Sequence, residues 1–530
     1  MKTRMMASFA LALFGSICIA NASPPPYVPT LNWVSCGPDY PDAECAIARL
    51  PLDYDDARGP TIGIALARIP AADQINKIGT VFVNPGGPGG SGAAWVLSGF
   101  GEFLGAVLQG RFDVVGFDPR GIGSSTPIRC FDDGAERGVY FQPVFPYRWD
   151  QFRPFFDLHR ALANKCWSRG QQIIGHMSTA DVARDLDLLR EAVGDKRLTY
   201  FGVSYGSYIG NTYANMFPTR FRALAIDGVL DPGLWAGGLH IKLDRLATAE
   251  EFAEFLRLCD EAGASCAFSA PGGSAARYEA LASSLRDVPL VFPNGFVYSY
   301  DYLVADSISA MYAPEVWSGY AEFFDALAEA VLGDASAVAR AADSRQTIER
   351  WFKEAMPQRD DYNNSFEAYY GNQCADTEYP RSFDGFMAFG AYAEAGSFMG
   401  PYWWWYNNSC ADWPVAPDRY TGPWTAHTVA PVLVVGNYFD GVTKYDGAVT
   451  TSKQLKNSRL LSYAGWGHTA FGRSTCVTEY VAEYLLNGTL PPEGTVCEAN
   501  PNPFLPVAMM RRAGPAAPII GLPPAWMMGR

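Results

Sequence analysis

The chain has 530 residues, with 41 lysines and arginines against 55 aspartates and glutamates, a formal charge of −14. No basic run offsets that acidity, so nucleic acid and an anionic membrane surface are poor partners. A chain this long exceeds one compact core and is expected to form two lobes, or a core with a large insertion.

The N-terminus carries Lys2 and Arg4, an apolar run from Ala7 to Ala20, and Ala20-Asn21-Ala22 before Ser23. A basic start, an apolar stretch too short for a bilayer span and a small-x-small site predict a cleavable signal peptide over 1–22, and with it a secreted or periplasmic protein. Loss of Lys2 and Arg4 takes the charge from −14 to −16. Ile17 stands where a lipoprotein needs a small residue, which argues against lipid attachment at Cys18. Elsewhere no uninterrupted apolar run reaches the roughly 20 residues of a membrane anchor.

Of the 11 cysteines, all but Cys18 lie beyond the signal, an even number in a chain expected to leave the cytosol, which points to disulfides. They fall as near neighbours: Cys36 and Cys45, Cys130 and Cys166, Cys259 and Cys266, Cys374 and Cys410, Cys476 and Cys497. Five local bridges in that order are expected, although spacing alone leaves connectivity open. No C-x-x-C or H-E-x-x-H spacing supports a metal site.

Short apolar runs then alternate with helical patterns. The runs are 62–68, 79–84, 112–117, 198–203, 223–227, 430–436 and 458–464. Unbroken apolar strands of this kind suit a parallel sheet covered on both faces. Between them, residues 179–194 place Val182, Leu186, Leu189 and Val193 on one helical stripe, an α/β pattern. From 236 to 419 the strand rhythm gives way to helical patterns and returns only at Ala430. This predicts a core of 23–235 and 420–499 with a helical lid inserted between late strands. The tail, 500–530, is rich in Pro, Met and Ala without periodicity, and is expected to be disordered or draped over the surface.

Chemistry enters at "TYFGVSYGSYIGNTYANMFP", residues 199–218, where Ser204 stands between Gly202 and Gly206. A glycine-x-serine-x-glycine match alone is weak evidence. Here an apolar strand runs into Ser204 and a helical pattern leaves it, the strand-turn-helix of a nucleophile elbow. A serine hydroxyl needs a neighbouring base. The chain has five histidines. His159 and His176 precede the serine, His240 lies at the entrance to the insertion, and His427 comes before a strand. His468, in "YAGWGHTAFG" after the last apolar run, is the natural base. The acid should follow the preceding strand, which offers Asp440, with Asp446 as the alternative.

Acyl transfer also needs donors for an oxyanion. The glycine loop "VNPGGPGGSG" after the strand at 79–84 nominates the Gly87 N–H, and the residue after the serine nominates the Tyr205 N–H. Read as a phosphate loop the same stretch fails, because no Lys-Ser/Thr follows it. Asp227 and Asp231, in "DGVLDP", are expected to shape the turn after their strand.

Together "NWVSC", "PLDYDD", "VNPGGPGGSG", "FDVVGFDPRGIGSS", "YFGVSYGSYIGNTYANMFP", "AIDGVLDP", "FDGVTKYDGA" and "GWGHTAFGRSTCV", in this order, resemble the secreted tripeptidyl-aminopeptidase-like branch of the α/β-hydrolases, related to prolyl iminopeptidases. The likeness runs over the chain up to about Cys497. It implies an α/β-hydrolase fold with Ser204, Asp440 and His468 as serine, acid and histidine, and Gly87 at the oxyanion position. Gly441 departs from the family's Asp-Pro-x-Thr, while Thr443 is retained.

The expected activity is that of a secreted serine hydrolase without a cofactor, most simply an aminopeptidase cutting short fragments from peptide N-termini. A carboxylesterase could use the same triad, and a non-catalytic binding protein would be expected to have lost part of it. An aminopeptidase must bind a cationic amine, for which "NQCADTEYP" offers Asp376 and Glu378, although both also suit solvated lid charges. The aromatic run 401–408 could wall a substrate pocket or pack around Cys410. Glycosylation sequons begin at Asn363, Asn407 and Asn487.

Overall fold

The computed structural model describes residues 27–505, apart from 57, 170–171, 356–362, 395–396 and 415. The signal-peptide stretch 1–22 and residues 506–530 of the tail lie outside the described residues. The strands are β1 (Val34–Ser35), β2 (Glu44–Pro51), β3 (Thr61–Ile69), β4 (Gly79–Asn84), β5 (Phe112–Phe117), β6 (Leu198–Val203), β7 (Phe221–Asp227), β8 (Leu290–Val291), β9 (Val297–Tyr298), β10 (Val432–Phe439), β11 (Ser458–Trp466) and β12 (Val496–Cys497). Ten of them form one sheet in the order β1-β2-β3-β5-β4-β6-β7-β10-β11-β12, and β8 pairs only with β9.

From β5 to β12 every pairing is parallel. These strands are apolar at successive positions because both faces are covered. Along β4, Val81 and Val83 pack with Val96, Phe100 and Val481 on one face. Phe82 points the other way, into the cluster of Val182, Leu186 and Ile209. The run at 62–68, grouped above with the parallel strands, is instead antiparallel to both β2 and β5. For the β2 pairing the reason is the short connection 52–60, closed by Leu52 N–H donating to Pro60 O at 2.9 Å. A parallel pair would need a crossover of a dozen or more residues.

Between β7 and β10 the chain builds a helical layer over the C-terminal ends of the strands. Its helices include Ile241–Ala262, Trp317–Val331, Ser365–Asp376 and Gly400–Tyr406. The last is the aromatic run, and it is interior: Trp404 stacks on Phe386 at 5.2 Å and Trp405 meets Phe155 at 5.5 Å. Asn407, a sequon residue, is buried and accepts the Tyr379 hydroxyl at 2.9 Å, whereas Asn487 is exposed. The first tail residues pack inward, with Phe504 buried against Phe255 at 5.2 Å.

Disulfides join Cys36 to Cys45, Cys130 to Cys166, Cys259 to Cys266, Cys374 to Cys410 and Cys476 to Cys497. Cys374–Cys410 fastens the helix Ser365–Asp376 to the segment after Gly400–Tyr406. Among the described residues no helix is long and apolar enough to cross a membrane.

Candidate active site

β6 ends at Val203, and Ser204 turns the chain into the helix Tyr205–Met216 with φ 56° and ψ −128°. A non-glycine residue in that region is strained, and the surrounding packing has to hold it there. The flanking glycines allow the packing. A Cβ at Gly202 would stand 2.5 Å from Gly206 O, and one at Gly206 would stand 2.6 Å from Asn84 O. The Ser204 N–H donates to Asp227 O at 2.9 Å, tying the elbow to the end of β7.

The loop after β4 passes directly over this turn. A Cβ on Gly86 would lie 2.7 Å from Ser204 Cβ and 2.8 Å from Tyr205 N, and Gly86 has φ +87°. Its own N–H is held by Asn84 Oδ1 at 2.9 Å. The neighbouring Gly87 N–H and the Tyr205 N–H at the helix start have no acceptor among the described residues. Both nominated oxyanion donors therefore flank the approach of Gly86 to Ser204. The motif drew attention to Gly87, but Gly86 makes the close contact with the serine.

Asp440 follows β10 and His468 follows β11. His468 Nδ1 lies 3.0 Å from Asp440 Oδ1 and 3.1 Å from Oδ2, the geometry of an N–H donated to a carboxylate. Asp440 also accepts the Val442 and Thr443 N–H groups at 2.9 and 2.8 Å, and the Thr443 hydroxyl at 2.8 Å. Burial alone would raise this carboxyl, but the His468 ring and these donors hold it below the usual carboxylate range. The Asp440–His468 pair is thus set with the acid ionised. His468 Nε2 is buried and has no hydrogen-bond partner among the described residues, Ser204 included. Asp446, the alternative acid, is an exposed helix residue paired with Lys444 at 3.3 Å.

Asp227 contributes more than a turn. Its Oδ2 accepts the Ala470 and Phe471 N–H groups at 2.9 and 2.8 Å, so one residue anchors both the elbow and the histidine loop. Burial pushes its carboxyl up to about 6. Sequence reading missed this role, and the only available signal was an acidic residue closing an apolar strand.

The inserted segment roofs these loops. The His468 N–H donates to Tyr312 O at 3.1 Å, and a Cβ at Gly467 would stand 2.5 Å from Pro314. On the other side, a Cβ at Gly89 would stand 2.6 Å from Ser365 O. Ser204 keeps 8% exposure and His468 none, so both lie beneath this roof. A small pocket opens beside Thr443 between Leu230, Leu243 and Asp244.

Asp376 and Glu378 are engaged elsewhere. Asp376 is buried and accepts the Thr179 N–H at 2.9 Å and its hydroxyl at 2.6 Å. Glu378 is exposed and pairs with Arg419 at 2.8 Å. Neither carboxylate hydrogen-bonds Ser204, although the Thr179 hydroxyl also meets the Tyr205 hydroxyl and so links Asp376 to the residue after the serine. Of the other histidines, His159 and His240 are buried, and burial lowers both to about 3, while His176 is half-buried and His427 exposed.

A ten-stranded mixed sheet carrying a serine at the elbow after β6, an acid after β10 and a histidine after β11 defines an α/β-hydrolase. Residues 79–258 match the alpha/beta hydrolase fold model, and residues 396–497 match the model described as TAP-like protein. The serine protease Hip1 of Mycobacterium tuberculosis is 31% identical over 529 residues, covering 93% of this chain and 96% of that protein. The tripeptidyl aminopeptidase of Streptomyces coelicolor is 30% identical over 499 residues, covering 89% of this chain and 87% of that protein. Carboxylesterase B of Mycobacterium tuberculosis is 30% identical over 499 residues, covering 89% and 91%. The chain belongs to the TAP-like family of α/β-hydrolases, and it is a serine hydrolase.

Proposed function

We propose that the protein is a secreted aminopeptidase that releases short peptides or single residues from peptide N-termini through an acyl-enzyme. The observation that carries the reading is the strained Ser204 turn together with an Asp440–His468 pair whose Nε2 is uncommitted. His468 takes the Ser204 proton as the hydroxyl attacks the scissile carbonyl, then delivers it to the leaving amine. Asp440 keeps the proton of the imidazole on Nδ1 and stabilises the cation that forms. The Gly87 and Tyr205 N–H groups receive the oxyanion, and water then hydrolyses the ester. Peptides as substrates are supported by relatives named as a serine protease and as tripeptidyl aminopeptidases, each similar over most of the chain. Export is supported by the five disulfides and by the basic-apolar-small pattern at the N-terminus.

The test is a matched panel of mono-, di- and tripeptidyl chromogenic amides, each with a free or acetylated amine, plus a short-chain ester. Cleavage confined to free-amine peptides, and reduced at least about a thousandfold in Ser204→Ala, is expected. Ester turnover without amide cleavage would move the protein to the carboxylesterases. Amide cleavage indifferent to acetylation would exclude the aminopeptidase reading.

A further inference from the structure

The helix Ile241–Ala262 lies across both loops that carry the candidate acid and base. Asp244, Thr248 and Glu251, spaced four and three residues apart, share one of its faces. Thr248 Oγ1 donates to Gly441 O at 2.6 Å and accepts the Trp403 Nε1–H at 3.0 Å. Glu251 Oε1 accepts the Gly467 N–H at 2.6 Å. Its Oε2 has no hydrogen-bond partner among the described residues and rests against Gly441, where a Cβ would overlap it and stand 2.7 Å from Met311 Cβ. Gly441 directly follows Asp440 and Gly467 directly precedes His468. One carboxyl group therefore touches the residue beside the acid and the residue beside the base, from an element outside the sheet.

We propose that Glu251 is a positioning residue that sets the Asp440 and His468 loops against each other. This rests on the reading of Ser204, Asp440 and His468 as the catalytic set. Glu251 is completely buried, and burial together with the charge of Asp440 pushes its carboxyl well above the ordinary range. Both effects favour the uncharged acid, whose Oε1 still accepts the Gly467 N–H. The glycine that replaces the family's proline after the acid is explained by the same contact, since Gly441 leaves the space that Oε2 fills.

The test measures kcat and KM of the full chain on the panel's preferred amide. Glu251→Met fills the volume without an acceptor and should lower kcat about tenfold or more with KM changed less than about threefold, because small displacements of reacting groups are costly in rate. Glu251→Gln keeps an uncharged acceptor and should restore kcat to within about threefold of wild type. Thr248→Val attacks the acid loop independently and should also lower kcat. A Glu251→Met enzyme within about twofold of wild type would overturn the proposal. So would Glu251→Gln as impaired as Glu251→Met, or a loss confined to KM. Should Glu251→Met not fold, the other two variants decide: Glu251→Gln falling tenfold, or Thr248→Val unchanged, overturns it. Ser204→Ala, measured alongside, separates the two readings. Turnover surviving there removes the catalytic set itself, whereas Ser204-dependent turnover indifferent to Glu251 removes this proposal alone.

Discussion

The Ser204 N–H donates to the Asp227 carbonyl oxygen at 2.9 Å, while the Asp227 carboxylate holds the two N–H groups that follow the histidine loop. The Ser204 elbow and the His468 loop are thus tied to a single residue at the end of β7. Asp227→Ala would leave two buried N–H groups unpaired, at about 1–3 kcal/mol each. It should lower the melting temperature and cut kcat about tenfold or more, whereas Asp227→Asn, which keeps one acceptor, should retain most of both. Thermal unfolding and steady-state kinetics on the same preparations check this, and an Asp227→Ala enzyme with wild-type kcat would remove Asp227 from the argument.

Gly86 tolerates no side chain. Its φ is +87°, and a Cβ would meet Val203 O at 2.6 Å as well as Ser204 Cβ and Tyr205 N. All three obstacles belong to the elbow backbone or to its first side-chain carbon, so none can swing aside. Gly86→Ala should reduce kcat/KM by at least about a hundredfold. Labelling of Ser204 by an active-site-directed phosphonate should slow in parallel, and undiminished labelling would show that the loop does not press on Ser204.

Cys374–Cys410 stabilises the roof over the glycine loop. It closes 36 residues and fixes the helix whose Ser365 carbonyl abuts Gly89. Replacing both cysteines by serine should cost about 3 kcal/mol and loosen the roof before the sheet. Hydrogen exchange should accelerate in 365–376 and stay slow in β4 and β6. Uniform acceleration would mean that the roof and sheet unfold together.

Asp376 supplies a pH test. Burial raises its carboxyl from 3.8 to about 7, against the opposing pull of the Thr179 donors. Because the folded state binds this proton more tightly, the associated stability is complete below pH 3.8 and is lost as pH rises through about 7. Asp376→Asn has no proton to lose. Its melting temperature should therefore fall less than that of wild type between about pH 4 and 8. Asp181, likewise raised by burial to about 7, remains in both proteins as an internal reference. Parallel curves would show that Asp376 stays ionised.

Seven of the sheet's strands are legible in the sequence because their apolar character is local, a run of residues covered on both faces by neighbouring helices. The elbow at Ser204 and the order of serine, acid and histidine are legible for a related reason: each sits where an apolar run breaks into glycine or polar residues. β2, with polar residues interspersed in "ECAIARLP", shows no such run, and the antiparallel edge of the sheet follows from a hairpin that only pairing reveals. Tertiary structure alone decides that Gly86 presses on Ser204, that Asp376 faces Thr179 and that Glu251 reaches Gly467 across 216 residues of sequence. A strand or a turn is determined by residues adjacent along the chain, whereas a buried carboxyl receives its role from whichever distant backbone the packing of the roof brings to it.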